Sequence, residues 1–282
     1  RILGNFIYSA VVTNSMAEYK YYRDSFGELP IDVKHMDLIF DVHDDHVKST
    51  NDQKVRALED LELVSLDAHK LEMTKVSVPG RDIDWDYREE DHKLDIKFAE
   101  PIKKGEEFTI HTESVITPTW NDLEGLYYDE TPKGQPQTMI TQCQQWGFQK
   151  LTPAFDDMTA KCTYRTKIIA SKDYTHLITN GDVVEPRSPI SEDRVSITYE
   201  NMKTPMSTYL FFLGMGTYES YEQIFKYPDG EEFLLQLLVH PGVGNEETAE
   251  EALGIVSDSV LWTYLYTGPE PYKDREVRDE IW

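Results

Sequence analysis

The sequence predicts a mainly β fold, a large antiparallel sandwich or saddle, followed by the start of a helical unit. Three observations carry this. Apolar and polar residues alternate with period two in successive runs between residues 31 and 239. Asn, Gly and Pro punctuate those runs. After Gly244 the apolar spacing becomes helical. Period-two alternation marks strands with one covered and one wet face, as antiparallel sheets have.

In chain order, Leu38, Phe40 and Val42 alternate with Asp37, Ile39 and Asp41, Ile39 alone spoiling the polar side. Leu94, Ile96 and Phe98 alternate cleanly with Lys93, Asp95 and Lys97. Cys162, Tyr164, Thr166 and Ile168 alternate with Lys161, Thr163, Arg165 and Lys167. Residues 209–213, and 233–239 with only Gln236 polar, are apolar on both faces, so they are expected to be strands buried on both sides. Asn180-Gly181 suits a tight hairpin, since both residues tolerate positive φ. Tyr227-Pro228-Asp229-Gly230 suits a type I turn, with Pro second and Gly fourth. Ala249, Leu253, Val256, Val260 and Tyr264 lie on one face of a helix. Asn245 is placed to cap it, and Glu246 and Glu247 complement the dipole. Gly268-Pro269 should end it, and a second helix is expected near Asp274, with Val277 and Ile281 four residues apart.

Composition bounds the function. Against 28 Lys and Arg stand 52 Asp and Glu, a formal charge of −24. Nucleic-acid binders draw affinity from cationic patches on phosphates, so this chain is not expected to bind nucleic acid or an anionic membrane, and its partners should be neutral or cationic. No apolar run approaches the ~18 residues of a spanning helix. Residues 2–12 lack the charged leader and cleavage site of a signal peptide. Two cysteines, Cys143 and Cys162, support neither a disulfide framework nor a four-thiolate zinc site, and are expected as reduced, buried thiols in a cytoplasmic protein. Arg1 at one end and Ile281-Trp282, inside a young helix, at the other suggest a piece of a longer protein.

The common catalytic signatures are missing: no phosphate-binding glycine loop, no G-x-G-x-x-G, no G-x-S-x-G, no C-x-x-C and no H-E-x-x-H. His43-Asp44-Asp45-His46 offers two imidazoles but not the helical spacing of a zincin, and is expected to be a solvated turn. One stretch stands out. Gly125-Leu126-Tyr127-Tyr128 is followed by Thr141-Gln142-Cys143-Gln144, then Gly147-Phe148, Thr152-Pro153 and Phe155-Asp156-Asp157. Uncharged amides gathered this closely offer hydrogen bonds to something. By the residues alone that is either a ligand or the backbone of their own turn.

The order Gly-Leu-Tyr, Thr-Gln-Cys-Gln, then Gly-Phe-Gln-Lys-Leu-Thr-Pro-Ala-Phe-Asp resembles the aminopeptidase N family of zinc metallopeptidases, of gluzincin type, and most resembles its bacterial members. The similarity extends to the strand at 161–170, to Leu177-Ile178-Thr179-Asn180-Gly181, and to residues 204–214, while 31–42 and 61–78 resemble that family's first strands. It covers roughly residues 31–240. The resemblance implies an N-terminal extension (1–30), a saddle-shaped N-terminal β domain (31–218) and the truncated start of an α+β, thermolysin-like catalytic domain (219–282). It also implies a parent enzyme that hydrolyses N-terminal residues from peptides with a zinc-bound water. The zinc ligands would lie beyond Trp282, leaving this fragment metal-free and inactive alone, with no catalytic residue of its own. Its implied partners are the rest of the catalytic domain and peptides with a free N-terminus. Gln142 matches the position lining the first side-chain pocket, and Gln144 the position contacting the substrate's α-amino group. Most aminopeptidases of the family have Glu where Gln144 stands, whereas the leukotriene-hydrolysing relative has Gln. The amide still accepts a hydrogen bond but loses the charge-assisted part, worth roughly 1 kcal/mol more. Residues 264–282 match nothing in the family. A rival reading is a non-catalytic scaffold or interaction module built on the same β domain, distinguished by whether an H-E-x-x-H follows Trp282.

Overall fold

A computed structural model describes residues 28–267. In chain order the strands are β1 (Ile31–Val42), β2 (Val47–Ala57), β3 (Leu61–Asp67), β4 (Leu71–Ser77), β5 (Ile83–Arg88), β6 (Lys93–Ile102), β7 (Glu107–Ile116) and β8 (Gly125–Tyr128). They continue with β9 (Met139–Gln142), β10 (Cys162–Ser171), β11 (His176–Thr179), β12 (Asp182–Pro189), β13 (Arg194–Met206), β14 (Leu213–Gly216), β15 (Glu219–Lys226) and β16 (Glu232–Val239). One helix, α1 (Glu246–Thr267), follows. A seven-stranded sheet has the order β12-β13-β10-β1-β2-β7-β4. A four-stranded sheet (β11-β14-β9-β8) and a three-stranded one (β3-β6-β5) contribute to the same apolar core, and β15 and β16 form a separate hairpin. The fold is mainly β, as expected, and among the described strands one pair departs from antiparallel pairing. β1 and β10 pair in parallel, His35 opposite Thr163 through Asp41 opposite Ile169.

The alternation read from sequence sets the faces. On β10, Cys162, Tyr164, Ile168 and Ala170 are buried, while Arg165 faces outward and pairs with Glu185 (2.7 Å) and Glu200 (3.1 Å). On β1 the buried set shifts from Ile31 and Val33 to Met36, Leu38, Phe40 and Val42, because the register to β2 slips between Val33 and His35. A bulge of this kind moves later side chains to the other parity. Ile39 stays on the outer face.

Four expectations need correcting. Residues 209–213 are not a doubly buried strand: Thr208–Leu210 is a 3₁₀ turn that leaves Leu210 50% exposed while burying Phe211. The buried strand is β14, one step later. Residues 233–239 do form β16, but in a two-stranded hairpin with one covered face, so Leu235 is buried and Leu234 exposed. Asn180-Gly181 does not close a hairpin. β11 pairs with β14 and β12 with β13, so the turn passes the chain between sheets, and of the two residues only Gly181 has positive φ (98°). On α1, Ala249, Leu253, Val260 and Tyr264 are buried, but Val256 is exposed.

Other expectations hold. Gly230 N donates to Tyr227 O at 2.9 Å, closing the β15–β16 turn. Asn245 caps α1, its Oδ1 accepting from Thr248 N at 3.0 Å. Both cysteines are free and buried. Gly268-Pro269 and the second helix expected near Asp274 lie outside the described residues. No helix among the described residues is long and apolar enough to cross a membrane.

Candidate functional site

The stretch singled out in sequence forms the end of β9 and the turn after it. β9 lies between β14 and β8, with Gly125 opposite Gln142. Side chains alternate there too. Thr141 points inward, its Oγ1 accepting from Leu213 N at 2.8 Å, and Cys143 is buried. Gln142, Gln144 and Gln145 are exposed, as is Trp146. Burial pushes the Cys143 thiol well up, so it is held as an unreactive thiol rather than a nucleophile.

The backbone beneath the amides is fixed on all sides. Gly147 N donates to Cys143 O at 2.8 Å. A Cβ at Gly147 would lie 2.2 Å from Gln142 O and 2.8 Å from Gly125 N, so only glycine lets the turn pack so closely. The 3₁₀ turn Phe148–Lys150 follows, with Phe148 fully buried 5.2 Å from the Phe211 ring. Lys150 is buried and pairs with Asp122 (2.9 Å) and Glu124 (2.6 Å). Lys70 reaches Asp122 at 2.7 Å, and the Lys70 and Lys150 hydrogen bonds hold that carboxyl down at about 2.

Behind the turn lies a polar network that sequence reasoning missed. Asp156, 5% exposed, accepts from Thr208 Oγ1 (2.6 Å) and Gln149 N (3.1 Å), while its own N–H donates to Asp67 Oδ2 (3.1 Å). Burial raises the Asp156 carboxyl to about 6, only partly opposed by those hydrogen bonds. Gln53 Nε2 donates to Pro153 O at 2.8 Å from inside the core. Asp156 stood in the quoted aromatic-Asp segment, but its partners lie up to 89 residues away, beyond any local spacing signal.

Of the two predicted site residues, Gln142 bonds within its own turn, Nε2 to Gln144 O at 3.3 Å. The Gln144 side chain has no hydrogen-bond partner among the described residues and faces solvent. The turn thus presents exposed amides, the side chains of Gln144 and Gln145 both without a hydrogen-bond partner among the described residues. The other cluster weighed in sequence, His43 and His46, sits in the β1–β2 turn with rings stacked at 4.6 Å, His46 bonded to Asp45 (2.7 Å) and His43 near Asp41 (3.3 Å) and Arg194 (3.3 Å). Among the described residues no group of three or more His, Cys, Asp or Glu is arranged to hold a metal ion.

Residues 20–210 match the family model of the Peptidase M1 N-terminal domain. The chain is 28% identical over 236 residues to aminopeptidase N of Haemophilus influenzae, covering 83% of this chain and 26% of that protein. It is 30% identical over 159 residues to aminopeptidase N of Escherichia coli (56% and 17%). It is 24% identical over 193 residues to leukotriene A-4 hydrolase of Xenopus laevis (66% and 31%). The fold is shared with aminopeptidase A of Legionella pneumophila, solved in complex with aspartic acid, at TM-score 0.68 and 22% identity over 77% of this chain and 25% of that one. The chain therefore spans about a quarter of the length of the aminopeptidase N from H. influenzae. With well over half its length matched, this chain belongs to the M1 peptidase family and carries that family's N-terminal domain.

Proposed function

We propose that this chain is the substrate-contacting N-terminal part of a zinc-dependent aminopeptidase, with residues 31–218 the β domain, 1–30 an extension and 219–282 the start of the catalytic domain. Gln144 would accept a hydrogen bond from the α-ammonium of a peptide, and Gln142 would line the pocket for its first side chain. The observation that carries this is the unengaged, exposed Gln144 amide on a turn fixed by Gly147, Phe148 and Lys150. The names of the relatives support the peptidase reading. Preorganised groups are what binding needs, because little ordering entropy remains to be lost.

This chain's own residues do not fit a zinc site. They lack H-E-x-x-H, and the described residues hold no three-ligand group. Zinc ligands are assigned to sequence beyond Trp282, and the 282-residue chain is proposed to be inactive alone. What it contributes is orientation of the amine and the first side chain. A cytoplasmic location remains part of the proposal, consistent with the two free, buried thiols.

The test is made in the complete parent enzyme. A hydrogen bond to a charged group is worth roughly 1.5–3 kcal/mol, so Gln144→Ala is expected to lower kcat/KM by about 10- to 150-fold. Gln144→Glu should preserve or raise it for free-amine substrates by restoring the ion pair. Gln142→Ala should shift preference among first side chains more than overall rate. Steady-state kinetics on aminoacyl anilides read all three. Wild-type kcat/KM in a folded Gln144→Ala enzyme would make the turn a structural element and overturn the assignment of Gln144 to the substrate's amine.

A further inference from the structure

The face that β2 turns to the core is polar where its neighbours are not. Val47, Val55 and Ala57 are buried there as alternation requires, but between them stand Ser49, Asn51 and Gln53, each at most 1% exposed. On the adjoining β1, Leu38 lies opposite Asn51 and Met36 opposite Gln53. The two amides converge on one atom. Gln53 Nε2 donates to Pro153 O at 2.8 Å, and Asn51 Nδ2 to the same oxygen at 3.4 Å. Chemistry settles which end of each amide faces Pro153, because a carbonyl oxygen only accepts. No backbone N–H among the described residues reaches that oxygen.

Stability alone gives no reason for this arrangement. Asn51 Oδ1 and Gln53 Oε1 are buried with no hydrogen-bond partner among the described residues. A buried acceptor left unpaired costs at least as much as a typical hydrogen bond contributes, so apolar side chains of similar shape would serve the core as well. What the amides supply is position. Pro153 ends a run of short-range bonds that starts at the glutamine turn: Gly147 N to Cys143 O (2.8 Å) around Gln144, then Leu151 N (2.8 Å) and Thr152 N (3.3 Å) to Phe148 O. One residue on, Ala154 exchanges backbone bonds of 2.7 and 3.0 Å with Asp67 of β3. That bridge ties the segment to the three-stranded sheet, and the amides tie it to the seven-stranded one.

We propose that Asn51 and Gln53 are positioning residues: by holding Pro153 O from the core face of β2 they seat the turn that carries Gln142 and Gln144. They act through the backbone between Pro153 and Gly147 rather than by touching a substrate. The consequence for catalysis rests on the reading of that turn as the amine-binding element, whereas the seating is a property of this chain. Misplacing a binding group by about 1 Å can lower a rate about 100-fold, so two amides inside the core are able to govern a surface site.

The 282-residue chain carrying Asn51→Leu and Gln53→Met, which stay close to the original shapes and remove both donors, is compared with the parent chain by hydrogen exchange. Relative to amides of β1 and β10, the Gly147 amide is expected to exchange about tenfold faster or more. Gln53→Met alone, which leaves the longer Asn51 bond, should give a smaller acceleration in the same direction, and it carries the test if the double variant does not fold. Equal acceleration at all three places, as a merely structural role would give, overturns the proposal, and so does an unchanged Gly147 amide. In the complete parent enzyme the double variant should lower kcat/KM for aminoacyl anilides about tenfold or more, and adding Gln144→Ala should cost little beyond the larger of the two effects. Losses that multiply would sever the two amides from Gln144 and overturn their role in the site. If Gln144→Ala keeps wild-type kcat/KM while Gly147 exchange is accelerated, the amine-site reading fails and the seating of the turn stands.

Discussion

Asp156 shows how one buried carboxyl can brace a turn at a cost in stability. Its folded-state value of about 6 lies above the ordinary 3.8, so the folded chain holds this proton more tightly than the unfolded chain. Folding is then progressively disfavoured as pH rises from about 4 to 6, and above that the full cost remains, at most about 3 kcal/mol. Asp156→Asn keeps an acceptor for Gln149 N and offers its amide to the Thr208 hydroxyl, without the buried charge. The variant is expected to exceed the parent chain in stability by about 1–3 kcal/mol at pH 7 and to match it near pH 4. Urea midpoints across that range read the difference, and the other carboxyls cancel because both chains carry them. A difference independent of pH would mean that Asp156 titrates alike in the folded and unfolded chains, so that burial does not raise its carboxyl. Little of this was legible in the sequence. The exposed amides announced themselves by clustering, but Lys150 with Asp122 and Glu124, and Asp156 with Thr208, are brought together only by the fold.

Among the elements, alternation was legible wherever one face is wet and the other covered, as on β1, β6 and β10. It failed where apolar density is not alternating. Residues 209–213 are apolar because the chain turns there and drives Phe211 into the core, and β16 because it belongs to a second, smaller core. That core holds Phe225, Tyr227, Leu235, Leu253, Val260 and Tyr264, between the hairpin and α1. With so few buried side chains, the β15–β16–α1 unit should melt before the main β domain. Leu253→Ala removes a side chain 6% exposed from this core, at a cost of about 2–5 kcal/mol. Ellipticity at 222 nm, dominated by α1, should then fall at lower urea than in the parent chain, with hydrogen exchange in β1 and β10 unaltered. A single transition moving as one for all probes would instead make the two cores one cooperative body.

Over the whole molecule the dominant quantity is charge. At −24, self-repulsion opposes the compact state, and the surface ion pairs that salt would weaken contribute only about 0–1 kcal/mol each. Raising ionic strength from 0.05 to 1 M shortens the screening length to about 3 Å, so repulsion should be lost faster than attraction and Tm should rise. Calorimetry in sodium chloride checks this, and a falling Tm would show that ion pairs such as Arg165 with Glu185 and Glu200 outweigh the net charge. The parallel pairing of β1 with β10 has a different consequence, one of timing. β1 meets β2 at once across a four-residue turn, but its other edge waits for β10, whose Thr163 lies 128 residues after His35. At synthesis rates of about 5–20 residues per second, the central strand of the largest sheet stands half-paired for roughly 6 to 26 s on the ribosome. During that interval a sheet edge that the finished protein hides is open to chaperones and to neighbouring nascent chains.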